Sequence, residues 1–161
     1  MGKFDEQYDK LSAWFKEREV SRGTLTVEGI EFPYVVCRRD PAAPRWFVGL
    51  DSGSGVYFIS EEVESGRPDE LTNIYRELVL RHEMFELGIN KGEGVGRCER
   101  ALRYELAHCP LELYGQYVLF RLAMFEALLE WIKANPKGYS PEQIREMQYT
   151  RDWLVCLFRK L

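Results

Sequence analysis

Along the first twenty residues Phe4, Tyr8, Leu11, Trp14 and Phe15 recur at helical spacing, with Asp5, Glu6, Asp9, Lys10, Lys16 and Glu17 between them. This pattern predicts an amphipathic helix that ends near Glu19, before a break at Ser21-Arg22-Gly23. The period then shortens to that of a strand. Thr24 to Glu28 is β-branched and alternating, Gly29 permits a turn, and Glu31 to Arg38 reads as a second strand. Pro33 inside it argues for an edge position or an irregular start. After the loop Asp40 to Pro44, the segment Arg45 to Leu50 is a third strand, Asp51 to Gly55 a tight turn, and Val56 to Ser60 a fourth strand that pairs with the third as a hairpin. Glu61 to Pro68 is a polar connector, and Pro68-Asp69-Glu70 opens a helix with acids in its first turn.

From Leu71 to Leu87 no Gly or Pro intervenes, and Leu71, Tyr75, Leu78, His82 and Phe85 fall on one stripe. Asn90 to Gly96 is glycine-rich but lacks the Gly-Lys-Ser/Thr of a phosphate cradle, so a loop beside a site is expected. Arg97 to Cys109 forms the next helix, closed by Pro110, with Cys98, Ala101 or Leu102, Glu105 and His108 on one face. Leu113 to Ala134 is long and apolar and stops at Asn135 to Gly138. Ser140-Pro141-Glu142-Gln143 is a helix entrance, with a capping Ser, Pro in the first position and Gln three residues after the cap. Ile144, Met147, Trp153, Leu154 and Leu157 carry the last helix towards the C-terminus. The expected class is therefore α+β: an N-terminal helix, a small, mainly antiparallel sheet of about four strands, a helix carrying HEMFE, and a helical C-terminal half.

A chain of 161 residues is expected to form a single domain, residues 1–161, without disulfide or metal staples. The net charge of −4 is spread without a basic block, which argues against a nucleic-acid surface. Cys37, Cys98, Cys109 and Cys156 show no Cys-x-x-Cys pairing. The opening MGKFDEQYDK has no hydrophobic segment, and Glu6 stands where a myristoylation signal needs Ser or Thr. Arg121 and Glu126 interrupt the apolar run from Tyr117 to Leu129. A cytoplasmic protein with reduced thiols and no membrane span is expected.

The chain owns two histidines, and their surroundings set the chemistry. His82 and Glu86 stand at i and i+4 on one side of their helix, with Glu83 between them. The motif His-Glu-x-x-Glu is one residue away from the His-Glu-x-x-His of zinc hydrolases. His108 lies on the following helix with Glu105 one turn before it. Two explanations use these groups. In the first, His82 is a hydrogen-bonded core residue, and Arg81, Arg97, Arg100 and Arg103 neutralise the glutamates. In the second, His82, Glu86 and Glu105 hold a divalent metal at about 2.0–2.2 Å with water in the fourth position. Glu83 then acts as general base, and His108, or else Cys98, serves as a further ligand or polarises a tetrahedral intermediate. Glu105-Leu106-Ala107-His108 also has the Glu-x-x-His spacing of di-iron bundles, but only one such motif is present where two are needed.

The order of helix, antiparallel strands, hairpin RWFVGL to VYFIS and HEMFE helix resembles the minimal zincin-like metallopeptidases. It is most similar to the small cytoplasmic group related to ImmA/IrrE. The likeness covers a core of residues 24–110 and leaves 111–161 as a C-terminal helical extension. It implies a peptide or protein substrate whose backbone pairs with an edge strand, here Val56 to Ser60. It also implies a third metal ligand on the following helix, which maps onto Glu105 or, in another register, Glu99. The resemblance implies zinc, but Glu86 stands where the family has His, and a carboxylate-rich site suits manganese or iron as well. The same departure suits a scaffold that has lost its metal and become a protein-binding module. Tyr114, Tyr117, Phe120, Phe125, Trp131, Tyr149, Trp153 and Phe158 are expected mostly in the core; exposed as one patch, they would point to a protein partner or a homodimer through the C-terminal helices.

Overall fold

The change of period near Glu19 is where helix gives way to sheet. The structure, a computed structural model, describes residues 2–43, 47–61, 69–90 and 96–161. They fall into two compact units, residues 1–90 and 91–161. The division lies in the glycine-rich stretch after Asn90, whereas the resemblance drew its line after residue 110.

The first unit opens with two short helices, α1 (Asp5–Asp9) and α2 (Ala13–Arg18), in place of the single one predicted. The interruption has a cause: Asp51 takes both the backbone N–H of Ser12, at 3.3 Å, and its hydroxyl, at 2.9 Å. Four strands follow: β1 (Glu19–Val27), β2 (Ile30–Cys37), β3 (Val48–Asp51) and β4 (Val56–Ser60). The start of the predicted third strand, Arg45 and Trp46, lies outside the described residues. Between β1 and β2, Glu28 and Gly29 both have positive φ, 51° and 76°, which matches a two-residue turn to the twist of the flanking strands.

β1 runs straight through the predicted break at Ser21-Arg22-Gly23. Gly23 pairs with Tyr34 across the ladder, and a Cβ placed on it would lie 2.8 Å from the Tyr34 hydroxyl oxygen. At the other end of the sheet Gly49 pairs with Phe58, and its Cβ would lie 2.8 Å from that ring. Each edge strand thus carries a glycine shielded by an aromatic ring from its inner neighbour.

The strand order is β1-β2-β4-β3. β1 with β2 and β3 with β4 are antiparallel, as expected, whereas β2 and β4 are parallel. This order corrects one expectation. β4 is hydrogen-bonded on both sides, so Val56 to Ser60 is an interior strand and has no ladder position left for a substrate backbone. Pro33 is tolerated in β2 because pairing with β4 begins only at Tyr34.

Alternation divides the sheet into two faces. Val35, Cys37, Val56 and Phe58 pack with Tyr8, Leu11, Phe4, Phe15 and Phe47, and the Phe15 and Phe58 rings stack at 4.4 Å. The opposite face presents Phe32, Tyr34, Tyr57 and Ile59 and carries α3 (Asp69–Met84). The helix runs on past Met84. It widens into a π turn, Phe85–Ile89, closed by the N–H of Asn90 on the carbonyl of Phe85 at 2.7 Å.

The second unit is helical: α4 (Arg97–Ala107), a 3-10 turn (Leu111–Leu113), α5 (Tyr114–Ala134) and α6 (Pro141–Arg159). Ser140 caps α6 as predicted, with its hydroxyl accepting from Gln143 N–H at 3.1 Å and the Gln143 side chain accepting from Ser140 N–H at 2.8 Å. Glu146 of α6 accepts the backbone N–H groups of Gly96 and Cys98 at 3.3 and 3.1 Å, so an acid from one helix caps the start of α4. Arg103 lies over the Trp153 ring at 4.8 Å, and Arg151 pairs with Glu126 at 3.5 Å. Ala101, Leu102 and Leu106 of α4, Val118, Met124, Phe125 and Leu129 of α5, and Leu154 of α6 are buried. Among the aromatics named above, Tyr117 and Phe125 are buried, and Tyr149 and Phe158 are exposed. No helix among the described residues is long and apolar enough to cross a membrane.

Candidate metal-binding pair

His82 occupies a core position because it extends the apolar stripe of α3, in line with buried Tyr75, Leu78 and Val79. It is 2 % exposed, and its Nε2 lies 3.0 Å from Glu86 Oε2, whose side chain is 13 % exposed. With the Glu86 carboxylate ionised, its oxygen can only accept, and the imidazole of the Nε2–H tautomer donates to it. The pair supplies two of the three protein ligands that a catalytic divalent cation takes. In a tetrahedral site with bonds of about 2.0 Å, two ligand atoms lie about 3.3 Å apart, so the observed pair needs to open by only about 0.3 Å. A neutral imidazole and a carboxylate are both ligands of zinc, and the carboxylate extends the range to manganese and iron.

Glu83, between the two, is half-buried. Its charge reaches Tyr57 on β4: burial first, and the Glu83 carboxylate second, push the Tyr57 hydroxyl up to about 12. The Glu83 charge is thus felt at Tyr57, a tyrosine that stays protonated.

The remaining expected site residues belong to the second unit. Glu105 is fully buried, and both its oxygens are engaged. Arg121 donates from Nη2 to Oε1 at 3.2 Å and places Nε 2.8 Å from Oε2, while the Tyr117 hydroxyl donates to Oε2 in a short hydrogen bond. Burial works against the Arg121 charge, and the Glu105 carboxylate more than offsets it, so the guanidinium pKa is raised. Burial, then Glu105, raises Tyr117 well above the usual tyrosine range. Glu105 is accordingly the acid of a buried ion pair, and the arginine that neutralises it is none of the four considered from sequence. Arg121 was visible as the residue that interrupts an apolar run, and a buried arginine in such a run calls for a buried acid.

His108 does not share the Glu105 face. α4 ends at Ala107 ahead of Pro110, and His108 is exposed just beyond the helix, with Nδ1 2.8 Å from the Tyr104 carbonyl oxygen and its ring against Tyr104. Glu99 pairs with Arg103 at 3.4 Å. Cys98, Cys37 and Cys109 are buried thiols and Cys156 is exposed. Burial, chiefly, pushes Cys37 and Cys109 up to about 11, which keeps them as inert thiols. Of the residues expected to act together, the first unit joins His82 and Glu86 directly and sets Glu83 beside them.

Comparison of the chain with protein-family models, with curated proteins and with solved structures gives no match.

Proposed function

We propose that the protein is a metal-dependent hydrolase in which His82 and Glu86 hold a divalent cation and Glu83 is the general base. The observation that carries this reading is the 3.0 Å approach of His82 Nε2 to Glu86 Oε2 within one helix, largely shielded from water. A bound cation supplies Lewis acidity that brings the acidity of water to about neutral pH. The residues do the rest. His82 gives up its Nε2 proton to become a ligand, which makes binding pH-dependent. Glu83 accepts a proton from the attacking water and returns it to the leaving group. Glu105 is left out of the ligand set because Arg121 and Tyr117 engage both its oxygens.

Peptides are the substrate class that the sequence resemblance implies, bound otherwise than by pairing with residues 56–60. The test is hydrolysis of a quenched-fluorescence peptide library by protein loaded with zinc, manganese or iron. Activity in the wild type that falls at least about 100-fold in Glu83→Gln, with metal binding retained, is the expected outcome. Equal activity in both proteins overturns the assignment of Glu83.

A binding role without chemistry is supported by a different observation. The interior position of β4 removes the backbone slot that a peptidase of the resembled kind uses, while Leu111 and Leu119 of the second unit are 89 % and 50 % exposed. Under that reading the Glu83→Gln protein retains its partner binding in full.

A further inference from the structure

In the π turn that carries Glu86, Gly88 lies against the sheet with no space to spare. A Cβ on Gly88 would lie 2.8 Å from each of two atoms of the Phe32 ring and 3.0 Å from the Tyr57 hydroxyl oxygen. Carbon atoms in contact settle at about 3.5–4.0 Å, so no side chain fits there without moving something. The two obstructing groups form a fixed shelf. They come from adjacent strands, β2 and β4, and meet edge to face at 5.6 Å, with Tyr57 only 3 % exposed. Gly88 is not among the residues with positive φ, so backbone freedom does not explain the glycine. Close approach does.

We infer that Gly88 is a positioning residue: its bare Cα seats the π turn on Phe32 and Tyr57, and that seating holds the Glu86 carboxylate against His82. Gly88 follows Glu86 by two residues within the same five-residue turn, and His82 is anchored separately by burial in α3. A turn lifted from the shelf therefore carries Glu86 away from an imidazole that stays in place. The consequence for metal binding rests on the metal-dependent reading above; the consequence for the His82–Glu86 contact does not.

The test uses the full chain and two readouts. One is zinc affinity by competition with a chromophoric chelator. The other is the nitrogen NMR signature of the His82 imidazole, assigned against a His108→Gln variant. Gly88→Ala is expected to weaken zinc at least about tenfold and to shift the His82 Nε2 resonance towards that of an imidazole without the carboxylate. Adding Phe32→Leu and Tyr57→Phe to Gly88→Ala clears the shelf and restores both readouts. A Gly88→Ala protein with wild-type zinc affinity and an unchanged His82 resonance overturns the inference. If Gly88→Ala does not fold, the triple variant decides: a folded protein with the wild-type His82 resonance supports the inference, and failure to recover overturns it. If the wild type binds no zinc and Gly88→Ala still shifts the resonance, the positioning role stands and the metal-dependent reading falls. If neither protein binds zinc and the resonance is unmoved, both fall.

Discussion

Two carboxylates of this chain, the buried Glu105 and the partly buried Glu86, look alike in the sequence and differ in what surrounds them. Glu105 meets Arg121 and Tyr117 from another helix, a permanent cation with fixed donors and a hydroxyl raised far out of its titrating range. Glu86 meets His82 from its own helix, four residues away. A guanidinium cannot become a ligand, because it keeps its proton at any ordinary pH. An imidazole can exchange its proton for a metal ion. Burial of an acid is therefore a poor guide to chemistry, and the identity of the group that neutralises it is a good one. Loss of either partner of the Glu105 pair leaves an uncompensated buried charge, whereas on the proposed reading the His82–Glu86 pair opens to take a metal ion.

Replacing one partner of each pair should separate the two most sharply. Arg121→Met leaves Glu105 buried with its charge uncompensated and should cost about 3–5 kcal/mol in urea unfolding, whereas the double variant with Glu105→Leu should recover most of that loss. A cost under about 1 kcal/mol for Arg121→Met would erase the distinction. Glu86→Gln keeps an acceptor for the imidazole, so its effect on stability should be about 1 kcal/mol or less. Its zinc affinity should nonetheless collapse, which sharpens the contrast. Ser140→Ala calibrates the helical unit away from either pair. Loss of the capping box is expected to cost about 1 kcal/mol with no effect on metal binding.

The smallest effect concerns acid stability. Burial raises the Asp51 pKa, but hydrogen bonds from Ser54 and Ser12 outweigh it, so the carboxyl titrates below its ordinary value. A depressed folded-state pKa stabilises the protein above the unfolded value of about 3.9, and that contribution is lost as pH falls through the folded pKa. Asp51→Asn should therefore flatten the acid limb of the stability profile below about pH 4, leaving the two buried pairs unaffected. An unchanged slope would mean that the Ser12 and Ser54 contacts do not favour the ionised form.

Local signals were legible and non-local pairings were not. The β4 limits, the Ser140 cap and the burial of His82 could all be read from spacing, because each depends on neighbours a few residues away. The split between α1 and α2 depends on Asp51, which is 39 residues from Ser12, and nothing in the helical pattern announces it. The hairpin of β3 with β4 was expected, but the parallel pairing of β4 with β2, which buries β4 in the sheet, joins strands that are not consecutive. The contact of His82 with Glu86 follows from their spacing on one helix, whereas the surroundings of Glu105 depend on Arg121 of another helix. The arginine in an apolar run was the available clue.

The claim that the His82–Glu86 pair is a metal site is tested most directly by metal content. Protein purified without an affinity tag or chelator and analysed by plasma mass spectrometry should carry about one divalent ion per chain, falling below about a tenth in His82→Ala. Wild-type protein that holds less than about a tenth of an ion per chain, and takes up none on addition of zinc, manganese or iron, would contradict the account.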